Sequence, residues 1–387
     1  MKRMLKRMFA AAALFCALAA CNTLEDRQYD TGKQYSRVLT VLYMGNSNLF
    51  VYMEGNIDSV LVHSLPTRQD SRALLFYNHV PGEDPVLYRV FSDWSGRTCT
   101  DTLLTLPSST ISTSTATLTE VLTYVDENFP SDHHGILLSN HGTGWVPPGY
   151  YNNPTPTTKA FGQEYDSSSP SGIAEISLRE LASSIPMKTD YLILDACLMG
   201  GVETAYELRN CTDKLFFSAT EIMGVGYRYE TLVRYLLQGS EYDMEGFCDS
   251  CYENLLEKNS YGTGAVVNTG ELENLASLCA PLFEKYRSKI AALDKNEVQG
   301  FFRFDRSWFY DLEDILVKAG ISAEEKAGLD ETLAKCVTAK FSTENFLRTF
   351  DINTYCGLSM YMPSAGNSYL DDYYTGLDWN KATGLVK

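Results

Sequence analysis

Apolar positions in this chain fall in short, unbroken blocks. Arg37–Met44 (RVLTVLYM), Ala73–Tyr77, Val86–Val90, Ile136–Ser139, Tyr191–Ala196, Lys214–Ser218 and Gly264–Val267 each run four to eight residues. The blocks that lead into His141 and Cys197 read as strands buried on both faces of a parallel sheet, and the others as further strand pieces. Between them the apolar spacing becomes helical. Ala116–Asn128 places Leu118, Val121, Leu122 and Val125 on one face, and Leu178–Ile185, Glu203–Leu208, Met244–Leu255 and Leu272–Ile290 read as further helices. Trp308–Ala319 and Leu358–Met362 supply later strand and helix pieces. The alternation predicts one large α/β unit with an added C-terminal portion and no internal repeat. Val146–Ser171 breaks the pattern: it holds Pro147, Pro148, Pro154, Pro156 and Pro170 and reads as a long irregular loop.

Two of the blocks end in reactive side chains. Ile136-Leu137-Leu138-Ser139-Asn140 runs into His141-Gly142, and Tyr191-Leu192-Ile193-Leu194-Asp195-Ala196 runs into Cys197. Functional groups in parallel sheets gather beyond the carboxyl ends of the strands, so both residues are expected at one edge. A free thiol is mostly protonated near neutral pH, and a neighbouring imidazole lowers its pKa and carries its proton. The pair therefore points to a cysteine hydrolase, against the plainer reading of a buried thiol and a turn histidine. The bare amide of Gly142 could approach a substrate carbonyl, and Asp195 stands two residues before the thiol.

The N-terminus changes the picture of where this chemistry takes place. Lys2, Arg3, Lys6 and Arg7 precede an apolar stretch, Met8 to Ala20, that is short for a membrane span. Leu18-Ala19-Ala20-Cys21 has the small-residue pattern of a bacterial lipobox, which predicts cleavage before Cys21 and lipidation of its thiol. Asn22, rather than Asp, follows it, a weak pointer away from retention at the inner membrane. The expected organisation is a signal peptide at 1–20, a lipidated tether at 21–36, a catalytic core at 37–240 and a C-terminal α/β portion at 241–387 packed on the core. The expected location is the outer membrane or the cell surface.

The chain carries 49 Asp and Glu against 32 Lys and Arg, a net charge of −17. That balance argues against nucleic acid and anionic lipid surfaces as partners. The cysteines show no framework spacing. Cys248 and Cys251 form a C-x-x-C, but no second pair accompanies them, and two thiols one turn apart on a half-buried helix is the plainer account.

Taken together, a first strand with the Asn-rich turn Gly45-Asn46-Ser47-Asn48, a block ending His141-Gly142-Thr143-Gly144-Trp145 and a block ending Asp195-Ala196-Cys197-Leu198-Met199 resemble the clostripain family of cysteine peptidases, in the caspase-like clan. The resemblance runs from about Arg37 to Trp379 and includes Gly357-Leu358-Ser359-Met360-Tyr361-Met362-Pro363. It implies a caspase-like α/β/α sandwich with a mostly parallel central sheet and peptide-bond hydrolysis. It makes Cys197 the nucleophile, His141 the proton shuttle, and the amides of Gly142 and Cys197 an oxyanion hole.

By the same resemblance, Asp195 helps form the pocket for an Arg or Lys before the cut, a charge-assisted pairing. Its alternative is a carboxylate that only orders the strand end. The chain departs from the family at Gly224-Val225-Gly226-Tyr227-Arg228-Tyr229, where a Pro-Gly-x-Gly-Trp-type turn is usual. An Arg228 pointing inward would pair with Asp195 and cancel the attraction. The family also implies a zymogen cut between the His and Cys strands, here after Lys159, before Ala160. Some members require calcium, but no D-x-D-x-D loop places such a site, so no metal ligand or other cofactor is assigned.

The expected partners are protein or peptide substrates and a membrane reached through lipid, the protein being a monomer or a self-cleaved two-chain form. Two rival readings remain: a catalytically silent surface lipoprotein that binds peptides or a partner through the same fold, and a cysteine acyltransferase or amidase acting through the same thioester.

Overall fold

The computed structural model describes residues 33–61, 65–148, 161–169, 171–224, 226–239, 241–302 and 308–387. The leader and tether with Cys21, and the expected processing site Lys159 and Ala160, lie outside the described residues. The strands are β1 (Arg37–Met44), β2 (Arg72–His79), β3 (Val86–Ser92), β4 (Thr98–Thr105), β5 (His134–Ser139), β6 (Phe161–Tyr165), β7 (Ile173–Ile176), β8 (Thr189–Asp195), β9 (Thr212–Phe217), β10 (Thr263–Asn268), β11 (Tyr310–Asp311), β12 (Val337–Ser342), β13 (Asn345–Phe346), β14 (Phe350–Asp351) and β15 (Ser359–Met360). The α-helices are α1 (Phe50–Leu61), α2 (Thr115–Asn128), α3 (Leu178–Ser183), α4 (Val202–Leu208), α5 (Met244–Glu257), α6 (Leu272–Ile290), α7 (Leu312–Lys318), α8 (Ala323–Cys336), α9 (Ser368–Thr375) and α10 (Asp378–Thr383).

Among the described residues nine strands form one sheet in the order β12-β10-β9-β8-β5-β1-β2-β3-β4. The five central strands pair in parallel. β3 and β10 run against them, and β4 and β12 turn back again at the two edges. Seven of the nine strands therefore point the same way, and their carboxyl ends share one edge.

The unbroken apolar blocks exist because both faces of this sheet are covered. In β8, Leu192 and Leu194 join the core on the side of α2, α4 and α6, while Tyr191 and Ile193 join the core on the side of α1 and α5. All four are fully buried, and each such side chain removed from water contributes about 2 kcal/mol. Helix starts are fixed by side chains: Ser114 accepts from the Thr117 amide at α2, and Ser177 and Glu180 form a reciprocal capping box at α3. Among the described residues no helix is long and apolar enough to cross a membrane.

The structure corrects the reading of Val146–Ser171 as one irregular loop. Its last part is β6, which pairs with β7 as an antiparallel hairpin. The short Phe-Gly-Gln-Glu-Tyr run carries no alternation strong enough to stand out after a proline-rich stretch. β4, α8 and β12 were not anticipated either. β4 is polar and half exposed at the sheet edge, and α8 buries only Leu329, Leu333 and Cys336.

The residues beyond 240 are built into the same sheet through β10 and β12, and they also back the strand that ends in Cys197. The Ser359 amide of β15 donates to the Gly200 carbonyl at 2.8 Å. Glu203, fully buried at the start of α4, accepts from the Tyr361 amide at 2.7 Å and the Tyr374 hydroxyl at 2.8 Å. Burial pushes its carboxyl up to about 7, against the opposing pull of those two donors.

A folded-state pKa above the unfolded one means that the folded chain holds the extra proton. The associated stability is complete below the unfolded value and is lost as pH rises through about 7. Asp195 and Asp311, both raised to about 6 by burial, act in the same direction. Thermal stability is therefore expected to fall between pH 5 and 8. Glu203→Gln is expected to remove about 3 kcal/mol of that fall. Melting curves on the Cys197→Ala background measure this, and a Gln variant with an unchanged slope would show that Glu203 is not the group responsible.

Candidate active site

Registration across β5 and β8 brings the two reactive strand ends together. Ser139 lies opposite Asp195, and the Asn140 amide donates to the Asp195 carbonyl at 3.3 Å. The next residues pack backbone on backbone. A Cβ on Gly142 would stand 2.7 Å from the Cys197 carbonyl oxygen and 2.9 Å from Ala196 Cβ. Gly144, at φ +60°, would come within 2.7 Å of the Leu198 carbonyl oxygen. The glycines of His-Gly-Thr-Gly are thus required by close approach to the Cys197 segment. Leu198 itself is left-handed, at φ +60°, a sharp turn of the kind found at functional sites. Its amide donates to the Thr220 carbonyl at 3.0 Å.

Eight cysteines are described, all free. Seven are buried and Cys197 is partly exposed. Burial pushes the Cys211 thiol up to about 11 and Cys251 and Cys336 up to about 12, which keeps them protonated and inert. The Cys197 sulfur accepts from the Ile222 amide at 3.3 Å and faces the Ile222 carbonyl at 3.6 Å. Ile222 thus meets the sulfur with both its amide and its carbonyl.

His141 is held by three segments. Its amide donates to Asn140 Oδ1 at 2.6 Å, and its carbonyl accepts from the Gly162 amide of β6 at 2.8 Å. Its Nε2 lies 2.8 Å from Asn48 Oδ1. Asn140 ties the corner together, since Nδ2 donates to the Met44 carbonyl at 2.7 Å and Oδ1 also accepts from the Gln163 amide at 3.0 Å. β6 is anchored in turn by the buried Glu164, which pairs with His79 Nδ1 at 2.8 Å and accepts from the Thr113 amide at 2.6 Å.

Asp195 is 6% exposed. Its Oδ2 accepts from Ser139 at 3.0 Å and from the Tyr229 hydroxyl. Burial lifts its pKa to about 6 despite these donors. Gly226 packs directly against it, and a Cβ there would sit 2.6 Å from Oδ2. Arg228 does not turn toward it. The guanidinium pairs with Glu230 at 3.2 Å, Glu257 at 3.3 Å and Glu253 at 3.6 Å, so the inward pairing considered from the sequence does not form. Arg228 sits beside three carboxylates on its own loop and on or next to α5, which outweigh a single buried acid that already has two hydroxyl donors.

The residues not anticipated are Asn48, Asn140, Ile222, Tyr229 and the β6–β7 hairpin. The Asn-rich turn after β1 was the available signal, because β1 neighbours β5 and its carboxyl end faces the same edge. Among the described residues no group of three His, Cys, Asp or Glu side chains is placed to hold a metal ion.

The sequence profile of the clostripain family matches residues 43–383. The chain belongs to the clostripain family of cysteine peptidases. It is similar to the solved structure of an inactive zymogen C11 protease from Parabacteroides distasonis, with 26% identity, a TM-score of 0.77, and coverage of 90% of this chain and 98% of that one. A secreted C11 cysteine protease from Bacteroides thetaiotaomicron has the same fold at 23% identity, a TM-score of 0.77 and coverage of 90% and 99%. A C11 cysteine protease of that organism in complex with an irreversible peptide inhibitor shares the fold at 20% identity, a TM-score of 0.77 and coverage of 90% and 99%. Comparison with curated proteins returns no match.

Proposed function

We propose that this protein is an exported, lipid-anchored cysteine endopeptidase that cuts after Arg or Lys and is activated by its own cleavage after Lys159. The observation that carries the reading is the backbone contact between the His141-Gly142 and Cys197-Leu198 segments around the single partly exposed described thiol. In this reading Cys197 Sγ attacks the substrate carbonyl carbon, while the amides of Gly142 and Cys197 receive the developing oxyanion. The carbon–nitrogen bond breaks as His141 gives a proton to the leaving amine. Water, deprotonated by His141, then opens the thioester and restores the thiol.

Preference for a basic residue is supported by Asp195, two residues before the nucleophile, and by Arg228 being engaged with glutamates instead. Gly226, which packs against that carboxylate without a side chain, is where the substrate's cation approaches it. Export and lipidation at Cys21 rest on the leader sequence.

The test is a fluorogenic peptide panel varying only the residue before the cut, applied to residues 22–387 and to Cys197→Ala. Arg or Lys turnover that vanishes in the variant supports the peptidase. No turnover of any peptide, with Cys197 unreactive toward a thiol probe even after nicking at Lys159, leaves a binding lipoprotein. Product analysis with an added amine separates hydrolysis from acyl transfer.

Activation by self-cleavage has support from a relative described as an inactive zymogen. It also fits β6, which starts at Phe161 and bonds to the His141 carbonyl through Gly162. Purified wild-type chain is expected to divide at 159/160 on long incubation, and Lys159→Ala to stay whole. An intact, active wild-type chain on a denaturing gel would end this part of the proposal.

A further inference from the structure

We propose that Asn48 is the positioning residue for His141: its side-chain carbonyl holds Nε2–H, and so leaves proton transfer to Nδ1. This rests on the reading of His141 and Cys197 as a catalytic pair.

The 2.8 Å contact between His141 Nε2 and Asn48 Oδ1 joins two loops that are each tied down separately. The Asn48 turn is closed by the Ser47 amide on the Gly45 carbonyl at 2.6 Å and by the Leu49 amide on Ser47 Oγ at 3.2 Å. Its first residues are held from both sides. Asn140 Nδ2 bonds the Met44 carbonyl at 2.7 Å, and Asn46 exchanges two bonds with Tyr165 of β6, at 2.8 and 3.3 Å. The His141 loop is fixed by the same two elements, through Asn140 Oδ1 and Gly162. Donor and acceptor therefore meet without ordering a long free side chain, which removes the usual entropic penalty of an exposed pair.

A side-chain carbonyl oxygen can only accept. Bonding to it requires a proton on Nε2, which selects one neutral tautomer and leaves the lone pair on Nδ1. When Nδ1 takes up the thiol proton, the imidazolium keeps the same Nε2–H bond, so the ring need not turn between accepting that proton and giving it to the leaving amine. Asparagine supplies this orientation without a negative charge. A carboxylate at the same place would hold the imidazolium more tightly and slow release of its proton. The ionisable groups on the elements around this corner include Cys197 and Asp195 at the end of β8, Glu221 beside Ile222, Glu164 and Tyr165 on β6, and Tyr52, Glu54 and Asp58 on α1. Glu164 is already engaged by His79.

The experiment compares Asn48→Ala and Asn48→Asp with wild type in residues 22–387, using two readouts. The first is kcat and KM on a fluorogenic Arg or Lys peptide. The second is the pH dependence of Cys197 alkylation by iodoacetamide, scored by mass spectrometry, which needs no peptide cleavage. Asn48→Ala is expected to lower kcat about 10- to 100-fold with KM within about twofold. Asn48→Asp is expected to recover much of kcat and to move the histidine limb of both profiles up by about one pH unit.

Peptide cleavage by all three proteins with unchanged kcat and unmoved limbs overturns the role of Asn48. A shifted alkylation limb in Asn48→Asp without peptide turnover by any of the proteins upholds it and overturns the peptidase reading instead. An Asn48→Ala loss with no limb shift in Asn48→Asp reduces Asn48 to a packing residue and also overturns the proposal.

Discussion

Cys197→Ala is expected to lower kcat/KM on Arg and Lys peptides by about ten-thousandfold or more, and His141→Ala by a similar factor. The double variant is expected to be no worse than either single one. A thiol without its base and a base without its thiol are equally unable to pass through the thioester, so the two losses do not multiply. The measurement is steady-state turnover of a fluorogenic peptide, with circular dichroism to confirm that the variants remain folded. Neither change should unfold the protein, since both residues lie beyond the strand ends and outside the fully buried blocks. Residual activity within tenfold of wild type in either variant would rule out the assigned pair. Both variants should also remain uncut at 159/160 if the processing is the protein's own.

Asp195→Asn is expected to erase selectivity for a basic residue before the cut. A hydrogen bond to a charged group contributes about 1.5–3 kcal/mol. Turnover of Arg and Lys peptides should therefore fall about ten- to a hundredfold, while a peptide with a neutral residue at that position changes little. The wild-type preference should also depend on pH. Because burial raises Asp195 to about 6, its carboxyl is neutral below that value and charged above it. Basic selectivity is expected to be present at pH 7.5, to fade as pH drops through about 6, and to be flat across this range in the Asn variant. Selectivity in Asp195→Asn equal to wild type at pH 7.5 would leave Asp195 with the ordering role that Ser139 and Tyr229 already suggest.

The parallel strands and their reactive ends were legible because double-sided burial leaves a simple mark. Residues such as Leu192 and Ile193 must be apolar whichever face they meet, so β1, β5, β8 and β9 stand out as blocks. Edge elements leave weaker marks. β4, with four threonines and an aspartate, buries only Cys99, and β12 shows one buried residue among six. For the candidate site the sequence nominates a thiol, an imidazole and a glycine, and covalent chemistry takes the reading no further.

What positions those groups was not legible, because it depends on three-dimensional meetings between short polar side chains. Asn48 stands 93 positions from His141, and Glu164 stands 85 from His79. No local pattern records such pairings. Arg228 illustrates the same limit: three glutamates on or near its own loop decide where it turns, and only the fold brings Glu253 and Glu257 to it.

The bonds of Glu203 reach 158 and 171 positions along the chain, to Tyr361 and Tyr374. Glu207 likewise accepts from the Asp378 amide at 2.6 Å, and Trp379 packs edge-on against Tyr206 at 5.5 Å. Trp145, from the histidine block, rests on Tyr361 and Tyr374 at 4.7 and 5.1 Å. The helix behind the thiol and the loop behind the imidazole thus share a backing made by residues much later in the chain. A chain synthesised only as far as Cys197 lacks that backing, however complete its reactive residues are. The packing behind the candidate site is therefore completed only after its reactive residues have been made.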